Sequence, residues 1–272
     1  MKPIASILLH LDAAPQSRDR LTLACRLAQR LDAGLLALYA AAPSGTSLMP
    51  LPMGGGGLTM QDVQRDEARR AQARAWFEEA AATGQPRLNW SELQAIAPAA
   101  EAFSRQALLH DLVVIGQHDP DSADDAGVAP DFAEEVVIDS GRPALLVPFA
   151  GRYHDVGRRV LVAWKASREA ARALSAALAL LQPGAEVHVV SWGSDPSELR
   201  PLLQHHGIEA EFHAEGGDEG QVGELLLSRA ADLGSDLIVM GCYGRSRTRE
   251  RLLGGASRSV FGAMTMPVLM SH

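Results

Sequence analysis

The sequence predicts an α/β protein of two repeated, doubly wound domains, each a five-stranded parallel sheet with helices on both faces. Three observations carry this prediction. Short apolar runs alternate with Ala- and Leu-rich helical patterns of about 10–15 residues, the rhythm of βαβ units. The runs are apolar throughout, as expected of strands covered by helices on both faces. The same order of elements is also written twice along the 272 residues.

The first half opens with an apolar strand, Ile7–Asp12, followed by a helical pattern from Ser17 to Leu31 and a second strand, Leu35–Tyr39. An excess over the second half then runs from Pro43 to about Trp90. It holds Pro50-Leu51-Pro52-Met53, the glycine run Gly54 to Gly57, and a long polar helix from about Thr59 to Ala82. Asp111–Gly116 is a further strand, and the half closes on the proline-led strand Pro143–Val147. A boundary is expected near Gly151–Gly157, which divides the chain into domains 1–150 and 158–272. In the second half, Val160–Lys165 matches the first strand, Ser167 to Leu181 the helix, and Val187–Trp192 the second strand. A short helix, Pro196 to His206, stands where the first half has its excess. Asp236–Gly241 repeats Asp111–Gly116, a short helix is expected from Ser257 to Met264, and Pro267–Met270 closes the half.

Composition narrows the function classes. A formal charge of -8 argues against non-specific nucleic-acid binding. No segment reaches the roughly 18 unbroken apolar residues of a membrane helix. The apolar N-terminal stretch is closed by Asp12 and reads as a strand rather than a signal peptide. Two cysteines suit a reducing compartment, so a cytoplasmic protein is expected. Cys25 falls on the apolar side of a helix, whereas Cys242 sits in a glycine loop and is expected to be accessible.

That loop is the densest signal in the chain. Gly241-Cys242-Tyr243-Gly244, nine further residues and Gly254-Gly255-Ala256-Ser257 lie between the strand Asp236–Gly241 and a short helix. Glycines at a strand end let backbone approach a ligand closely, and free amides at a helix start hold anions. With the duplicated strands, this spacing resembles the universal stress protein family in its tandem two-domain form, over nearly the whole chain. The resemblance implies the universal stress protein / adenine nucleotide alpha hydrolase-like fold and a stress-response regulator that binds ATP, or a related adenine nucleotide, in its C-terminal domain, with Mg2+ accompanying the phosphates. By position, Met240 and Gly241 would meet the ribose, Tyr243 and Gly244 would lie along the loop, and Gly254, Gly255, Ala256 and Ser257 would hold phosphates. Ala163, Trp164, Lys165 and Trp192 would line the base pocket. The resemblance also implies association through terminal strands, which the two halves would imitate within one chain and two chains would extend to a dimer.

Three departures qualify what is carried over. Lys165 replaces the family's usual acidic residue after the first strand, and Gly255 replaces the usual hydroxyl residue after the third glycine. The first-half counterpart reads Gly116-Gln117-His118-Asp119, with Asp119 where Gly244 stands, followed by Asp121, Asp124, Asp125 and Asp131. Negative charge there opposes phosphate, so the first-half site is expected to be degenerate. A second reading is therefore open: a non-nucleotide interaction module with an occluded site. Its partner surface would be the 43–82 segment, with Leu48, Met49, Leu51 and Met53 exposed. A slow nucleotide hydrolase is a third reading. No catalytic residue is assigned, because no phosphate-loop lysine motif, zinc-protease histidine pair or nucleophile elbow occurs. Arg245, Arg247, Arg249 and Arg251 read as a solvated charged spacer, of which one arginine would reach phosphate. His188, His205, His206 and His213 lack a compact ligand spacing, so no metal site is expected.

Overall fold

A computed structural model describes residues 2–44, 59–84, 87–93, 98–121, 127–216, 221–242 and 255–272. The sequence expectations at Leu48, Met49, Leu51, Met53 and Gly54–Gly57, and those at Asp124, Asp125, Tyr243, Gly244, Arg245–Arg251 and Gly254, lie outside the described residues.

The first half runs β1 (Ser6–Leu11), α1 (Gln16–Leu31), β2 (Gly34–Tyr39), α2 (Met60–Ala81), β3 (Leu88–Glu92), α3 (Ala99–Ala107), β4 (Leu112–Gly116), α4 (Phe132–Asp139) and β5 (Ala144–Val147). The second half runs β6 (Arg159–Ala163), α5 (Arg168–Ala177), β7 (Glu186–Trp192), α6 (Arg200–His205), β8 (Ala210–Glu215), α7 (Val222–Asp232), β9 (Leu237–Gly241), α8 (Gly255–Ala263) and β10 (Val268–Ser271). A turn of 3-10 helix, Pro196–Leu199, leads into α6.

The strands form one ten-stranded sheet in the order β3-β2-β1-β4-β5-β10-β9-β6-β7-β8. Within each half every pairing is parallel. The halves meet where β5 and β10 pair antiparallel, with Leu145 opposite Leu269. Both edges of each terminal strand are thus occupied within the chain. The pseudo-dimer is internal, and the outer edges of the sheet are β3 and β8.

Helices cover both faces, as a doubly wound sheet requires. Leu21 and Leu27 of α1, Ala73 of α2, Leu174 of α5 and Leu203 of α6 pack with Ile7, Leu9 and Val239 on one face. Phe103 of α3, Val136 of α4, Leu226 of α7 and Val260 of α8 pack with Leu8, Val113 and Ile238 on the other. Central strands are buried on both sides, which explains their unbroken apolar runs. The outer strands differ: β3 and β8 largely alternate between covered and exposed residues.

The repeat extends to how strands are pinned. Asp111, just before β4, accepts from the amides of Ala5 and Ser6 at 2.9 and 3.0 Å and from the Ser6 hydroxyl at 3.0 Å. Its counterpart Asp236, just before β9, accepts from the amides of Gly157 and Arg158 at 2.8 and 3.0 Å. Each aspartate ties the start of the fourth strand of its half to the start of the first.

Candidate functional site

The strand order reverses direction of winding between β1 and β4 in the first half and between β6 and β9 in the second. The carboxyl ends of those pairs are where such sheets bind ligands. The register sets Ala163 opposite Met240, so Gly241 follows at the mouth of the β6/β9 pair.

Around that mouth the sequence-derived residues separate by face. Ala163, Trp192, Met240 and Cys242 pack on the side of α7 and α8. Trp164 packs against the opposite core, its amide donates to the carbonyl of Val190 at 2.7 Å, and its indole N–H donates to Glu198 at 2.8 Å. Lys165 is exposed, and no ion-pair partner is found for it among the described residues. The N-terminus of α5 presses on the strand end: a Cβ added to Gly241 would meet the Ala170 nitrogen at 2.6 Å. Only glycine fits there, so at this position the motif glycine is required by helix-to-strand packing.

The helix starts divide the anion-binding capacity. Ser167 caps α5 by accepting from the Ala170 amide at 3.2 Å. Burial of the Glu169 carboxyl opposes its charge, but its own backbone amide and the Ser167 hydroxyl bond it and keep its pKa below the ordinary range. α5 therefore carries its own anion. α8 begins at Gly255, with Gly255 exposed, Ala256 half-buried and Ser257 buried. Gly223 of α7 lets α8 approach closely, since a Cβ there would lie 2.6 Å from Ser259.

The accessible Cys242 expected from the sequence is corrected. Its side chain is fully buried, and its amide donates to Ser271 at 2.8 Å. Burial drives the thiol pKa far up, opposed only by a hydrogen bond with the Ser257 side chain. A thiol held protonated in this way is unreactive. Cys242, the residue after Gly241, thus turns into the core shared by the sheet and α8.

The first half presents the same mouth filled. Arg20 of α1 is buried, and its guanidinium donates to Asp12 at 2.9 Å, to the Ser17 hydroxyl at 2.8 Å and to the carbonyl of His10 at 3.0 Å. A Cβ on Gly116, the counterpart of Gly241, would collide with that guanidinium. Asp12 also accepts from the Ser17 hydroxyl and the Ala14 amide. Burial opposes its charge, yet Arg20 and these bonds hold its pKa below the ordinary range. The remaining space is lined by His10, Asp12, Arg20, His118 and Asp119. In the second half the corresponding turns of α5 carry Arg168 and Arg172, both exposed. Sequence reading attributes the degenerate first half to Asp119. In the structure Arg20, which the sequence reading does not single out, also occupies this mouth.

Comparison with known proteins gives the fold of the chain and a family match for its second half. Residues 157–272 match the Universal stress protein family. Among solved structures, the chain is similar to a universal stress protein from Archaeoglobus fulgidus DSM 4304, at 19% identity and a TM-score of 0.72, over 97% of this chain and 94% of that one. It is also similar to a protein of unknown function from Pseudomonas aeruginosa PAO1, at 16% identity and a TM-score of 0.59, over 98% and 92% of the two chains. Curated protein sequences gave no match.

Proposed function

We propose that this chain, which belongs to the universal stress protein family through its second half and repeats that fold in its first, binds an adenine nucleotide at the β6/β9 mouth and acts as a nucleotide-responsive regulator. The observation that carries the reading is the three-glycine loop between the end of β9 and the start of α8, at the switch point of the sheet. ATP, with Mg2+ on its phosphates, is the ligand the family motif favours. The start of α8, Gly255 to Ser257, takes the phosphates, because α5 is already neutralised by Glu169. Met240, Gly241, Tyr243, Gly244 and Gly254 follow the ribose and phosphates, and Ala163, Lys165 and Trp192 bound the base. Trp164 frames the pocket from behind, tied to Glu198. The domains are 1–150 and 158–272, of which only the second binds.

This reading requires no catalytic constellation. Among the described residues, no helix is long and apolar enough to cross a membrane. Equilibrium binding of ATP and AMP to protein stripped of co-purified nucleotide tests the proposal. Saturable binding, weakened by replacing Gly255 with Asp, is expected; no binding at millimolar ligand would reject it.

Two observations favour a second reading. Arg20 fills the first mouth, and Lys165 stands at the position equivalent to Asp12 in the second. A chain with both mouths closed would serve as a protein-interaction module. Hydrogen exchange over residues 237–260 separates the two, because only nucleotide binding slows exchange there when ATP is added.

A further inference from the structure

Two imidazoles and a carboxylate meet on the second half, away from the β6/β9 mouth. His188 lies on β7, and Glu211 and His213 lie on β8, the outer strand. They are distant in sequence, but the parallel register places His188 opposite Glu211 and Val190 opposite His213. His188 Nδ1 is 3.2 Å from His213 Nε2 and 3.5 Å from the Glu211 carboxylate, and His213 Nε2 is 3.8 Å from that carboxylate. A zinc ion about 2.0–2.2 Å from tetrahedrally placed donors sets them roughly 3.3–3.6 Å apart. The three separations span that range, so shifts of a few tenths of an ångström complete the geometry.

The surroundings are those of a built site. The His188 side chain is 5% exposed, and its Nε2 is 3.0 Å from Glu186, which turns Nδ1 into the cluster. A carboxylate behind a ligating imidazole is the usual outer partner of a zinc histidine. The Glu211 side chain is 72% exposed, which opens a fourth position to solvent. Two imidazoles and one carboxylate suit zinc better than magnesium or calcium, which prefer all-oxygen sets.

We propose that His188, Glu211 and His213 bind Zn2+, with water as the fourth ligand, and thereby clamp the outer strand β8 to β7. Without the ion, His213 Nε2–H donates to His188 Nδ1, and His188 Nε2–H donates to Glu186. On binding, His213 changes tautomer from Nε2–H to Nδ1–H, and the proton count of the pair stays the same. Arg229, 3.5 Å from His213 Nδ1, then competes as a donor and has to turn towards Glu215, 3.7 Å away.

The test uses the full chain, stripped of metal and nucleotide. Zinc is titrated against a chromophoric chelator, and Co2+ is added separately as a spectroscopic probe. One bound equivalent and the intense visible bands of tetrahedral Co2+ are expected. Glu211→Gln and His213→Gln, checked for an unchanged fold by circular dichroism, should each weaken binding at least about tenfold, and Arg229→Gln should strengthen it. No bound zinc in the parent chain, or binding that survives both substitutions, overturns the proposal.

Discussion

Single residues decide what each mouth of the sheet can accept, and the clearest case is buried charge beside β1. His10 is enclosed by Phe103 and Phe132, with ring centroids 5.4 and 4.3 Å away. Its Nε2 bonds the carbonyl of Ala40 at 2.8 Å, and its Nδ1 lies 3.5 Å from Asp12. Burial dominates, with Arg20 adding to it against the pull of Asp12, and the pKa falls from 6.5 to about 4. Between those values the unfolded chain binds a proton that the folded chain refuses. Stability therefore rises with pH in that window and is lost as pH falls from 6.5 towards 4, by on the order of 3 kcal/mol. Urea unfolding at pH 7.5 and pH 4.5, about the ends of the window, should show this loss, and His10→Phe should shrink it. An equal loss in the variant would reject the assignment to His10. Little of this residue-level detail is legible in the sequence. Gly116 and Asp119 reveal a changed motif, but Arg20 enters the crevice only because α1 packs across the end of β4. His188 and His213 likewise become neighbours only through the β7/β8 register, which a one-dimensional spacing does not contain.

At the scale of elements, the strands buried on both faces were fully legible, because continuous apolar runs have no other soluble use at that length. The polar helix α2 was legible too. Thr59 accepts from the Asp62 amide at 3.1 Å and Asp62 bonds back to the Thr59 amide at 3.0 Å, a capping box that fixes the helix start. The outer strands β3 and β8 were not assigned. Leu88-Asn89-Trp90-Ser91-Glu92 and Ala210–Glu215 alternate, since only one of their faces is covered, and a search for unbroken apolar runs passes over them. The repeated aspartates offer a test of how elements are held. Burial opposes the charge of Asp111, but bonds from Ala5 and Ser6 hold its carboxyl below the ordinary range. Asp111→Ala leaves those donors unpartnered where β1 starts. It should cost about 1–3 kcal/mol, measured by chemical denaturation. Asp236→Ala should cost a similar amount through Gly157 and Arg158. A near-neutral result for both would show that strand pairing alone sets the register.

For the whole molecule, the decisive feature is the seam between the halves. Two α/β units of this size joined by a linker would ordinarily unfold separately. Here the sheet runs through the seam. Leu145, Leu146, Leu269 and Met270 are fully buried across the β5/β10 pair. Polar ties close over it. The Gln117 side chain donates to the carbonyl of Phe261 at 2.8 Å and accepts from the Phe149 amide at 3.2 Å. Arg30 of α1 donates to the carbonyls of Leu180 and Val156 at 2.9 and 3.1 Å, and Tyr153 donates to the carbonyl of Thr265 at 2.6 Å. Separating the halves would expose the four-residue apolar strands β5 and β10 along their shared edge and break these bonds. Neither half can therefore lose its terminal strand without disturbing the other. Calorimetry should show one transition whose van't Hoff and calorimetric enthalpies agree. Gln117→Leu removes the partner of a buried carbonyl and should lower stability by about 1–3 kcal/mol while keeping a single transition. Two resolved transitions in the parent chain would mean that the seam is weaker than either core.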